Sequence, residues 1–157
     1  AKRDVEVTLR AVDDAEFQQV LQEQQGKVVL VTYWATWTAH QMAEIVQLRD
    51  QYADQGLVVV TMSVDEPEEE KAALAMLKDN QADLVNLISK QGAELATFKQ
   101  FGITGGILPH YQVYDREGNL AQRIMAENAK VLGNLHQQVE VAVRSLLTDE
   151  NAESTGD

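Results

Sequence analysis

Residues 28–45 read VVLVTYWATWTAHQMAEI, and every other part of the chain is easiest to place once this stretch is read. Its first seven residues are nearly all apolar or β-branched, as a strand covered on both faces should be. A helix is predicted from about Ala39 to Ala53, with Met42, Ile45, Val46 and Tyr52 on its inner stripe and Gly56 stopping it. Thr38 and Gln41 have the spacing of a capping box at the start of that helix. The threonine oxygen would accept from the third amide, and the glutamine would reach back to the cap amide.

Working outward, DVEVTL (4–9) alternates and predicts a short edge strand. Asp13 or Asp14 can cap a helix that carries Phe17, Val20 and Leu21 on one face and ends at Gly26. LVVVTMSV (57–64) is a second buried strand. Asp65, Glu66 and Pro67 open a helix with Leu74 and Leu77 inside. The acidic run Glu68–Glu70 suits a first helical turn without any bound cation. LVNLI (84–88) predicts a short strand, and residues 93–101 a helix around Leu95, Phe98 and Phe101, ended by Gly102. Tyr111–Tyr114 and Leu120–Met125 form a hairpin about the turn at 116–119. The last helix is predicted over Lys130–Leu147. Residues 1–147 then make one domain, and the acidic segment 148–157 is expected to be a disordered tail.

Composition narrows the function classes. The chain has 157 residues, with 25 acidic against 13 basic side chains and a net charge of -12. That surface repels phosphate backbones, so no nucleic-acid partner is expected. No apolar run reaches the ~18 residues that a membrane span needs. There is no cysteine, which excludes disulfides, thiolate metal sites and thiol catalysis. Composition leaves the oligomeric state open.

Three segments carry a family resemblance: GKVVLVTYWATW (26–37), YADQGLVVVTMSVDEPEE (52–69) and FGITGGILPHYQVYDREGNL (101–120). They resemble the thioredoxin-like superfamily, specifically extracytoplasmic thiol-disulfide oxidoreductases of the TlpA/ResA type. The resemblance implies an α/β thioredoxin fold: a central mixed sheet flanked by helices, with an extra helix before the C-terminal hairpin. It implies a cis Leu108–Pro109 bond facing the active-site turn. It also implies the periplasm or cell envelope, reached through a signal or anchor that these residues do not contain.

The departures from the family matter as much. The motif Trp-Ala-Thr-Trp (34–37) is followed by Thr38 and Gln41 at the two cysteine positions of the family's Cys-x-x-Cys. His40 replaces the proline usual before the second cysteine. Thr32 stands where many thioredoxins have a buried acid, and His110 follows Pro109 where threonine is common. Thr38 is a poor nucleophile, since its hydroxyl is scarcely ionised and His40 does not face it.

Two functions follow. The first is a redox-inactive binding or structural module without cofactor. It would keep a protein- or peptide-contacting surface at Trp37, Thr38, His40, Leu108, Pro109 and His110. The second is an enzyme related to the oxidoreductases but working through a non-thiol site, with a metal held by His40 and His110. His136, on the last helix, is expected at the surface.

Overall fold

The computed structural model describes residues 5–37, 42–91, 97, 99, 101, 103, 108–125 and 132–156. Among them six strands form one mixed sheet. β1 is Arg10–Val12, β2 Val28–Trp34, β3 Leu57–Ser63, β4 Val85–Ser89, β5 His110–Tyr114 and β6 Leu120–Met125. Their order across the sheet is β1-β4-β3-β2-β5-β6. The pairs β1/β4, β3/β4 and β2/β3 are parallel, whereas β2/β5 and β5/β6 are antiparallel. Four helices accompany them: α1 (Asp14–Glu23), α2 (Met42–Tyr52), α3 (Glu70–Asp79) and α4 (Leu132–Gly156). This is the thioredoxin-like α/β fold. The predicted helix at 93–101 lies mostly outside the described residues, although Thr97 and Lys99 within it are helical. No described helix is long and apolar enough to cross a membrane.

β2 is the middle of the molecule, and all seven of its residues are buried. Val28 and Leu30 face α2 and α4, where they meet Ile45, Leu48, Leu135 and Val139. Val29, Val31 and Tyr33 face the other way, onto Phe17 and Val20 of α1 and onto Phe101. A strand with helices on both faces has no polar side, which is why VVLVTYW lacks alternation. Trp34 ends the strand in a third cluster with Met42, Val46, Ala73 and Leu77 of α2 and α3.

Local signals set the element ends. Asp13 caps α1 through a complete capping box. Its carboxylate accepts from the Glu16 amide at 2.8 Å, and the Glu16 carboxylate accepts from the Asp13 amide at 3.0 Å. That backbone hydrogen bond, with Lys90 at 3.0 Å, holds the Glu16 carboxyl down to about 2. Asp13→Ala is therefore expected to cost ~1 kcal/mol, read as a lower urea midpoint; an unchanged midpoint would show that the cap contributes nothing. After α2, a single turn at Ala53–Gln55 closes on Gly56. There φ is +105°, a left-handed conformation that a side chain would resist.

Two predicted boundaries are corrected. The edge strand is Arg10–Val12, not residues 4–9. Val7 and Leu9 do pack inward, against the Trp34 cluster. Alternation reported that packing correctly, but it carries no information on which residues find a ladder partner. The ladder with β4 takes in only Arg10–Val12, opposite Leu87–Ser89. At the other end, α4 continues to Gly156, past the predicted Leu147 end. Residues 148–155 contain no glycine or proline and include alanine and three acidic helix-compatible positions, so nothing local stops the helix before Gly156.

Candidate functional site

Parallel pairing with β3 and antiparallel pairing with β5 bring three distant segments together at the C-terminal end of β2. Trp34 lies opposite Ser63 of β3, and Tyr33 lies opposite His110 of β5. The turn after Trp34 therefore emerges between the end of β3 and the loop that leads into β5.

Asp65 holds that turn. It is completely buried. The Thr36 amide donates to both carboxylate oxygens, at 3.0 and 3.1 Å, and the Thr36 hydroxyl donates to Oδ1 at 2.6 Å. The Ser63 hydroxyl donates to Oδ2 at 2.6 Å and in turn accepts from the Asp65 amide at 3.1 Å. A backbone bond from the Val64 amide to the Trp34 carbonyl, 2.9 Å, continues the sheet pairing up to the turn. The result is a braced platform. The Thr36 hydroxyl serves here as a donor that ties the turn to Asp65. Trp37, the next residue, is 62 % exposed.

On the neighbouring loop the Leu108–Pro109 bond is cis, the isomer that the resemblance implies. Leu108 is half-buried, and Pro109 and His110 are buried. The His110 ring packs edge-on against Tyr33 at 5.7 Å. Gln112, two residues on and on the same face of β5, determines its tautomer. The Gln112 amide oxygen accepts from the Tyr114 hydroxyl at 3.0 Å and from the Tyr33 hydroxyl at 3.5 Å. Its nitrogen donates to the Phe101 carbonyl at 2.7 Å and lies 3.2 Å from His110 Nε2. His110 Nε2 is then the acceptor, so Nδ1 carries the proton of the neutral ring. Nδ1 is buried and has no hydrogen-bond partner among the described residues. Burial, with the Arg123 charge adding to it, pushes the His110 pKa down to about 4.

Thr38, His40 and Gln41 lie outside the described residues. Trp37 is open to solvent, whereas His110 is a core residue whose Nε2 is already engaged. Among the described residues no group of three His, Asp or Glu side chains could hold a metal ion. Thr32, at the position where the resemblance implies a buried acid, is buried opposite Tyr111 in the β2/β5 register, and burial raises the Tyr111 phenol to about 12. His136 is half-buried rather than fully at the surface, with Nδ1 3.6 Å from the Glu44 carboxylate.

Two residues of the site escaped the sequence reading. Asp65 stands directly before Glu66 and Pro67, where a helix start explains it locally. Its partner Thr36 is 29 residues away. Gln112 left a fainter signal, as the one amide within the otherwise aromatic and apolar YQVY of β5.

Solved structures with the same architecture come from several bacteria. A thiol:disulfide interchange protein of the thioredoxin family from Chlorobium tepidum TLS is 20% identical, with a TM-score of 0.59 over 80% of this chain and 83% of that one. The thioredoxin domain of a thiol-disulfide oxidoreductase from Bacteroides vulgatus is 19% identical, with a TM-score of 0.58 over 78% and 84%. An uncharacterized thioredoxin-like protein from Porphyromonas gingivalis is 14% identical, with a TM-score of 0.62 over 79% and 78%. At these identities the likeness is one of fold. No curated protein sequence matches significantly. The sequence of residues 4–123, which runs from the first segment through the braced turn and the cis-proline loop into β6, matches the AhpC/TSA family. The chain thus belongs to the AhpC/TSA family of thioredoxin-like redoxins, as a member that has no cysteine.

Proposed function

We propose that this domain is a redox-inactive binding module that contacts an extended segment of a partner protein at the turn around Trp37 and the adjoining cis-proline loop. The observation that carries the reading is an exposed tryptophan on a braced turn in a chain without cysteine. Exposed aromatic side chains on a rigid support lose little entropy on binding and dominate many contact surfaces. Thiolate exchange needs a sulfur nucleophile, and the sequence supplies none. We also propose the cell envelope as its compartment, on the family resemblance, which fractionation of the host would test.

Two measurements test the function. Insulin reduction by dithiothreitol should proceed at its uncatalysed rate in the presence of the purified protein; any acceleration would overturn redox inactivity. A carboxymethylated, permanently unfolded protein serves as the probe for binding. Trp37→Ala should weaken its binding about tenfold or more while leaving the urea midpoint unchanged. Equal binding by the variant would remove the turn from the contact surface.

A further inference from the structure

The sheet face that carries Tyr33 and Gln112 also opens to solvent, at a place whose lining includes no residue of the Trp34–Trp37 turn. A cleft of about 260 Å³ lies between α1 and the β5–β6 hairpin. Tyr33, Gln112 and Tyr114 line its interior, and Lys99 and Arg123 its rim. Arg123 of β6 is in register with Gln112 of β5, so the two side chains share one face.

The charge of this cleft runs against that of the molecule. Acidic residues outnumber basic ones 25 to 13 in the chain, yet both ionisable rim groups here are cations. Neither Lys99 nor Arg123 is ion-paired with a described residue, whereas Arg10, Arg49 and Lys90 all are. The Arg123 charge reaches the Tyr33 and Tyr114 phenols and the His110 ring, and at Tyr33 it outweighs that of Asp14. A buried donor is also spare. Tyr33 is buried, and the one hydrogen bond of its hydroxyl among the described residues, to the Gln112 oxygen, is stretched to 3.5 Å. That distance is at the limit of a hydrogen bond, and Tyr114 already satisfies the same oxygen at 3.0 Å. Two cations that pair with no described residue, and an under-used O–H donor, line one small polar space.

We infer that this cleft binds a small oxyanion, a carboxylate or a phosphate group. Arg123 and Lys99 would supply charge-assisted hydrogen bonds, and the Tyr33 hydroxyl would turn from Gln112 to donate to the anion. The inference is independent of the peptide-contact reading, because it uses a different surface and different residues.

The test uses the intact chain labelled with 15N. Inorganic phosphate and benzoate are titrated separately at constant ionic strength, with sodium chloride as the third arm. Saturable shifts of the Arg123 Nε–H and the Gln112 side-chain amide are expected with at least one of the two oxyanions and not with chloride. Saturation by phosphate alone assigns a phosphate group, by benzoate alone a carboxylate, and by both a general oxyanion site. Arg123→Gln should weaken binding about tenfold, Tyr33→Phe severalfold, and Arg144→Gln not at all. Arg123→Lys, which keeps the charge, should retain most of the affinity and guards against loss of fold in the glutamine variant. Shifts that stay linear in concentration, or binding that Arg123→Gln leaves intact, would overturn the inference.

Discussion

Asp65→Ala is expected to lower the unfolding free energy by ~3 kcal/mol. The side chain is fully buried, and both of its oxygens accept hydrogen bonds, from the Thr36 amide and hydroxyl and from the Ser63 hydroxyl. Alanine removes the acceptors and leaves the part-buried Thr36 amide and hydroxyl and the buried Ser63 hydroxyl proton without them. Leaving buried donors unmade costs more than the bonds themselves contribute. Asp65→Asn keeps one carbonyl acceptor and should lose about half as much. The measurement is a urea unfolding curve for each variant. An alanine variant within ~0.5 kcal/mol of the parent would mean that the turn is held by packing alone. The same substitution should also loosen the support under Trp37, so its emission should respond more strongly to a soluble quencher than in the parent.

Stability is expected to fall by ~3 kcal/mol as the pH drops from about 6.5 to about 4, because of His110. Burial, aided by the Arg123 charge, lowers its pKa from 6.5 to about 4 in the folded protein. The unfolded chain takes up a proton at this residue from about 6.5 downward, while the folded protein does not until about 4. Protonation therefore favours unfolding across that window. The contribution is whole above the unfolded value and lost as the pH falls through the folded one. The Glu16 carboxyl, held down to about 2, acts in a lower window, between about 4.5 and 2. His110→Phe keeps a ring against Tyr33 and removes the titration, so the decline between 6.5 and 4 should flatten. Proton NMR of the imidazole should give a midpoint near 4. A midpoint near 6.5, or an unaltered slope in the phenylalanine variant, would show that the ring is hydrated.

The features that sequence alone carried are those whose physics is local or compositional. Seven successive apolar or β-branched residues at 28–34 specify a strand covered on both faces. Asp13 with Glu16 specifies a cap, and Gly56 a stop. The absence of cysteine removes dithiol chemistry whatever the fold. What sequence could not show depends on which distant residues meet. The register of β2 with β3 delivers Asp65 to Thr36 across 29 residues, so a residue that locally reads as a helix start becomes the brace of the turn. The register of β2 with β5 sets His110 against Tyr33 and Gln112, so a histidine expected at the surface becomes a buried, neutral one. The 4–9 segment reported its packing but not its pairing, because alternation measures burial and not the backbone hydrogen bonds of a ladder. Periodicity and capping are written in residues a few positions apart. Hydrogen bonds between segments exist only once the sheet has aligned them, and it is those bonds that fix the chemistry of this site.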